Sequence, residues 1–220
     1  MAHTTFTLRA EGAWEADTLA HIREELAEIA YDNKLQLTEK TVASKLTARV
    51  FRDPRPYSPR EDDGNLGVMH CRHGRYTLGD PDAVAPFYAG PLAVELPIYM
   101  LDHSGLALSH TPFSCPWDSG LLGTHYMTLA VAKDNWPETP GEETELQELV
   151  EEYLKTELRV YNNFIQGNVW GYEVVDEEDE IVDSCYGFYG ERLGETQILD
   201  NCSHEHIELL IEAWKRRFEA

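Results

Sequence analysis

The sequence predicts an α+β fold: a central, mostly antiparallel sheet with one long amphipathic helix and flanking helices. Three observations predict it. Short strand-like segments punctuated by Gly105, Gly120 and Gly123 fill the middle of the chain. Residues 143–166 carry apolar side chains at helical spacing without a break. A hairpin pattern and a last amphipathic segment follow, so strands and helices are grouped rather than strictly alternating. At 220 residues with 42% hydrophobic content, the chain has the apolar material for a core of its own.

Residues 5–8 alternate weakly and read as a short edge strand. Residues 14–30 read as a helix, with Leu19, Ile22, Leu26, Ile29 and Ala30 mostly three and four apart. Residues 38–51 place Val42, Leu46 and Val50 on one stripe and read as a second helix, although their threonines also suit a strand. The domain division expected is therefore an N-terminal helical segment over 1–60 and an α+β core over 61–220. Pro54, Pro56 and Pro59, followed by Gly64-Asn65, make a loop. Strands are predicted over 68–76, 92–101, 106–110 and 124–131. In the 143–166 helix Leu146, Leu149, Val150, Tyr153, Leu154, Leu158, Tyr161, Phe164 and Ile165 form the inner stripe, and Gly167 ends it. Residues 169–175 and 180–189 form a hairpin around the acidic turn Asp176, Glu177, Glu178 and Asp179. Residues 204–218 are a closing helix behind Ser203.

Charge narrows the function classes. The chain holds 18 Lys+Arg against 40 Asp+Glu, a formal charge of −22. Direct binding to a nucleic-acid backbone through the bulk surface is not expected, because Lys and Arg supply that affinity. No apolar run is long enough for a transmembrane helix, the N-terminus lacks the pattern of a signal peptide, and a cytoplasmic protein is expected. Cys71, Cys115, Cys185 and Cys202 are scattered without a paired spacing, which fits free thiols in a reducing compartment. The acid is concentrated: residues 138–180 contain fourteen Asp or Glu and two basic residues, contributing −12. Glu145, Glu148 and Glu152 lie three and four apart on one helix, where like charges repel by about 0.2–0.5 kcal/mol per pair. These three and the turn acids Asp176, Glu177, Glu178 and Asp179 are the candidate partner-binding residues. A solvated surface, a decoy that imitates phosphates, and a site for cations or a basic protein would each use them.

Three strings concentrate reactive residue types with glycine and aromatics. They are residues 70–80, residues 102–105 with 112–120, and residues 183–190. Here the chain resembles an uncharacterised group of phage, plasmid and bacterial proteins with the motifs Cys-x-His-x-Arg-Tyr-x-Leu-Gly-Asp, Tyr followed closely by His-Ser-Gly, Pro-Phe-Ser-Cys-x-Trp-Asp-Ser-Gly, and Asp-Ser-Cys-x-Gly-Phe-Tyr-Gly. The matching residues are 71–80, 99–105, 112–120 and 183–190, spanning about half the chain. The match departs at Gly74, where a second basic residue is expected. The resemblance implies a mobile-element origin and no particular reaction.

Three chemistries fit these residues. Nucleophilic catalysis would use Cys115 or Ser119, His103 as base, and Asp102 or Asp118 to orient it, with Asp183 lining the same pocket. Metal binding would use His70, Cys71, His73 and His103. That spacing is not a usual zinc pattern, and neighbouring strand residues point to opposite faces, so no metal or cofactor is expected. Anion capture would use Arg72, Arg75 and Tyr76; bridges from these arginines to nearby carboxylates are the structural alternative. The expectation is an acidic interaction protein of a mobile element, a counter-defence inhibitor mimicking nucleic acid against a host DNA- or RNA-handling complex such as a restriction or CRISPR machine. The alternative is a small enzyme with a His/Cys/Asp pocket acting on a nucleotide or another phosphorylated small molecule.

Overall fold

The computed structural model describes residues 46–62, 64–137 and 143–217. The strand expected at 5–8 and the helix expected at 14–30 lie outside these residues. Among the described residues, seven strands form two antiparallel sheets rather than one. β2 (Val68–Cys71), β3 (Leu92–Asp102), β4 (Leu106–Ser109) and β5 (Ser119–Thr128) form a four-stranded sheet in the order β2-β5-β3-β4. β1 (Thr47–Arg52), β6 (Val169–Val175) and β7 (Ile181–Tyr189) form a three-stranded sheet with β6 in the centre. The α+β class holds, with each sheet covered by its own helix.

Over 47–52 the chain takes the strand alternative rather than the helix expected for 38–51. The register of β1 runs from Thr47 opposite Val175 to Arg52 opposite Trp170. Ala48 and Val50 are buried, whereas Thr47 and Arg49 are exposed, which is the alternation of a half-buried strand. A spacing of four satisfies a period of two as well as one of 3.6, so the Leu46/Val50 pair that marks a helix also fits this strand. The strand expected at 124–131 begins earlier, at Ser119, and stops at Thr128. Thr128 Oγ1 accepts from the Val131 amide at 3.3 Å and caps a short helix, α1 (Leu129–Asn135).

The long helix α2 (Glu143–Ile165) lies on the four-stranded sheet. Its buried residues Leu146, Val150, Leu154, Leu158 and Tyr161 recur at spacings of four and three. They pack on Met69, Ile98, Met100, Leu108 and Leu122 towards one end and on Ala93 and Met127 towards the other. Leu149 lies off this stripe and is 45% exposed. Gly167, at φ +71, turns the chain out of the helix and into β6.

Three short helices close the second layer: α3 (Leu193–Thr196), α4 (Ile198–Asn201) and α5 (Ile207–Arg216). Leu210, Ile211 and Trp214 of α5 meet Val50, Trp170, Tyr172 and Phe188 of the three-stranded sheet. The Trp170 and Trp214 rings are 4.8 Å apart. No helix among the described residues is long and apolar enough to cross a membrane.

Candidate functional site

β5 runs antiparallel to both β2 and β3, so β2 and β3 end where β5 begins. The segment after β2, the β3–β4 turn and the approach to β5 therefore emerge together at one end of the four-stranded sheet. Two of the three motif strings meet here. The Asp102 amide donates to the Asp118 carbonyl at 2.7 Å, and Tyr76 Oη donates to Asp102 Oδ2 at 2.9 Å. Arg75 stands 3.6 Å from the same Asp102 oxygen. The Tyr76 ring contacts the stacked His73 ring, at 5.2 Å, and the Arg75 guanidinium, at 5.1 Å. Arg72 instead reaches His70, at 3.3 Å.

His103, Cys115, Asp118 and Ser119 converge at this end, but not as a nucleophile with its base. His103 Nδ1 lies 2.9 Å from Asp118 Oδ2, and the Cys115 thiol donates to that same oxygen at 3.6 Å. The carboxylate thus stands between thiol and imidazole. Nucleophilic catalysis needs the imidazole between the other two, where it can take the thiol proton. Ser119 Oγ is likewise committed, donating to the Cys115 carbonyl. Because a carboxylate only accepts, His103 carries a proton on Nδ1, on a side chain 69% exposed.

Asp183 stands apart from this cluster. It lies on β7, opposite Val174 in the other sheet. Its carboxylate accepts from His206 Nδ1 at 2.7 Å, Tyr172 Oη at 3.1 Å and the Ser203 amide at 3.3 Å. Burial disfavours its charge, but these donors prevail and hold the carboxyl below its ordinary range. The third motif string therefore fastens β7 to the entry of α5. Cys71 is half-buried at the base of the first string, where burial and Asp80 push its thiol up to about 12. Burial and Asp183 push Cys202 up to about 11. Neither thiol is primed for nucleophilic chemistry.

A second polar cluster, absent from the sequence reading as a unit, lies under α2. Arg60, with a side chain 4% exposed, forms a fork with Asp80 at 2.7 and 2.8 Å and donates to the Gly67 carbonyl at 2.7 Å. Burial opposes its charge, yet Asp80 and Glu157 more than compensate and raise its pKa. Glu157 accepts from the Leu66 amide at 2.8 Å and from His125 Nε2 at 3.0 Å. His125 Nδ1 then faces His110 Nε2 at 3.3 Å, so hydrogen bonds run beneath the helix from Asp80 to His110. Gly79, at φ +75, is packed so closely that a Cβ would stand 2.5 Å from the Met69 carbonyl. That geometry gives the Gly-Asp pair of the first motif a packing role, with Asp80 aimed at Arg60.

The acidic candidates divide. Glu145, Glu148 and Glu152 are exposed on α2, and Lys155 lies 3.8 Å from Glu152. Asp176 shapes the hairpin turn, its Oδ1 accepting from the Glu178 and Glu180 amides at 3.0 and 2.9 Å. Asp179 pairs with Arg49 at 2.9 Å. Glu177 and Glu178 are exposed, with no ion pair among the described residues. Among the described residues no three His, Cys, Asp or Glu side chains come close enough to share a metal ion. Comparisons with protein families, with curated proteins and with solved structures find no match to this chain.

Proposed function

We propose that this chain is an acidic interaction protein of mobile-element origin, a counter-defence inhibitor that occupies the nucleic-acid groove of a host DNA- or RNA-handling complex in the cytoplasm. One observation carries the reading. Glu145, Glu148 and Glu152 project from a helix whose opposite face is anchored by buried Leu146, Val150 and Leu154. At a rise of 1.5 Å per residue, they stand about 4.5 and 6 Å apart along the axis. One nucleic-acid strand carries a charge every ~3.4 Å of its axis, so the spacings are of the same order. Anchoring matters because carboxylates already fixed in place lose little freedom when a basic groove closes on them. The net charge of −22 and the resemblance to phage and plasmid proteins support the same reading.

The enzyme alternative is weaker on geometry, because Asp118 separates the thiol of Cys115 from the imidazole of His103. The two readings separate in one assay. Bacteria carrying a restriction or CRISPR system and expressing the chain are challenged with a targeted phage, and plating efficiency is measured. Protection of the phage is expected from the parent chain and from the H103A/C115S variant. It is expected to disappear for E145K/E148K/E152K/E178K, and binding to the captured complex should weaken steeply with salt. Loss of protection in H103A/C115S, with the charge-reversed variant still active, would overturn the reading.

A further inference from the structure

One string at the motif-bearing end of the four-stranded sheet differs in charge from the molecule as a whole. Residues 70–78 contain Arg72, Arg75, His70 and His73 and no carboxylate, in a chain of net charge −22. Arg72 has no carboxylate partner among the described residues; its Nε donates to His70 Nε2 at 3.3 Å. Arg75 keeps one long contact to Asp102, and 69% of its side chain is exposed. His103 is held through Nδ1 by Asp118, with 69% of its side chain exposed. Next to Asp118 in sequence, the indole of Trp117 is 91% exposed. That ring is free to meet a flat partner from solution.

The internal bonds at this end also show what is free and what is committed. Asp102 is occupied by Tyr76 and Arg75, and Asp118 by His103 and Cys115. The Tyr76 ring is in contact with His73 and Arg75. What remains available is two guanidinium groups, Arg72 and the outer edge of Arg75, and one uncovered indole. A guanidinium suits phosphate oxygens, which it can grip with two parallel hydrogen bonds. A free indole suits the flat face of a base.

We propose that this end of the sheet binds a nucleoside phosphate, with Arg72 and Arg75 holding the phosphate and Trp117 stacking on the base. The site is separate from the acidic helix face and does not depend on the inhibitor reading. Its ligand is either a free nucleotide or the phosphorylated end of a single strand, which present the same chemistry.

The test uses the full chain at physiological ionic strength, where long-range repulsion from the acidic surface is screened. AMP, adenosine, inorganic phosphate and a short 5′-phosphorylated oligothymidylate are titrated, with tryptophan fluorescence and calorimetry as readouts. Saturable binding of AMP or the oligonucleotide, with quenching, is expected. Adenosine and phosphate alone should bind about tenfold or more weakly, since each lacks one of the two contacts. Tighter binding of AMP would identify the free nucleotide as the source, and tighter binding of the oligonucleotide the strand end. W117A should abolish the quenching, and R72A/R75A should lower affinity for AMP to that for adenosine. E145K/E148K should leave binding unchanged, which separates this site from the inhibitor surface. Absence of saturable binding, or variants R72A/R75A and W117A that bind AMP like the parent with unchanged circular dichroism, would overturn the proposal.

Discussion

Glu157 on the long helix and His125 on β5 meet at 3.0 Å with almost no access to water, the imidazole being 0% and the carboxylate side chain 8% exposed. The same carboxylate receives the amides of Leu66 and Gly67 and stands 3.5 Å from Arg60. One side chain of α2 thereby fixes the loop before β2, a strand of the sheet and a buried cation.

Glu157→Ala should be among the most destabilising single changes in the chain. It leaves the His125 ring nitrogen and the Leu66 and Gly67 amides unpaired and removes a partner of buried Arg60. Breaking one side of a buried ion pair costs about 3–5 kcal/mol. Urea denaturation followed by circular dichroism measures it. A loss below about 1 kcal/mol, the scale of a surface pair, would show that the cluster does not hold the layer together.

Acid should loosen the same region before it affects the rest. Burial pushes His125 down, against the opposing pull of Glu157, and burial with His125 nearby pushes His110 down to about 4. Lys155 lowers His110 further, and Glu151 opposes. The unfolded chain therefore binds more protons than the folded one between about pH 6.5 and 4, and stability rises with pH across that window. The unfolding midpoint should fall as pH drops from 7 to 4.5. His110→Gln should flatten part of that slope, and an unchanged slope in both His110→Gln and His125→Gln would refute the assignment.

Thiol reagents should discriminate among the cysteines. With thiols raised to about 12 and about 11, Cys71 and Cys202 should remain unmodified at pH 7.5 while the chain is folded and react once urea unfolds it. Peptide mapping of alkylated protein reads this directly. Rapid labelling of Cys71 in the native state would mean that the Gly79 turn over it opens readily.

Asp183 and Asp118 should act as independent fasteners. Asp183→Ala removes the acceptor of His206, Tyr172 and the Ser203 amide, and a buried donor left unsatisfied costs about 1–3 kcal/mol. Asp118→Asn should disturb only the sheet end that holds His103 and Cys115. Their effects on unfolding should add within about 0.5 kcal/mol, as for distant sites. A larger coupling would place the two strings in one pocket after all.

The long helix, β3 and β6 were legible because each carries one unambiguous period or a continuous apolar run bounded by turn residues. The start of β5 was missed because Ser119 and Gly120 look like turn chemistry, and its end because Leu129-Ala130-Val131 continues the apolar pattern past the capping Thr128. The convergence of His103 with Cys115 and Asp118 could be read from local strings, since they lie within sixteen residues of one another. Asp183 was grouped with them because its string has the same composition, which carries no information about which sheet a strand joins. The Arg60–Glu157–His125 cluster left no such trace: its members come from three distant segments, and each alone reads as an ordinary polar residue.

The pairing of β1 with β6 sets an order of events during synthesis. Arg52 lies opposite Trp170, so β1 emerges from the ribosome with its partner still unmade. At about 5–20 residues per second, it waits on the order of ten seconds while the whole four-stranded layer and its helix are produced. An unpaired strand is an invitation to the wrong neighbour. Arg49 and Arg52, interleaved with the buried Ala48 and Val50, put positive charge along the waiting strand and discourage it from joining another nascent copy.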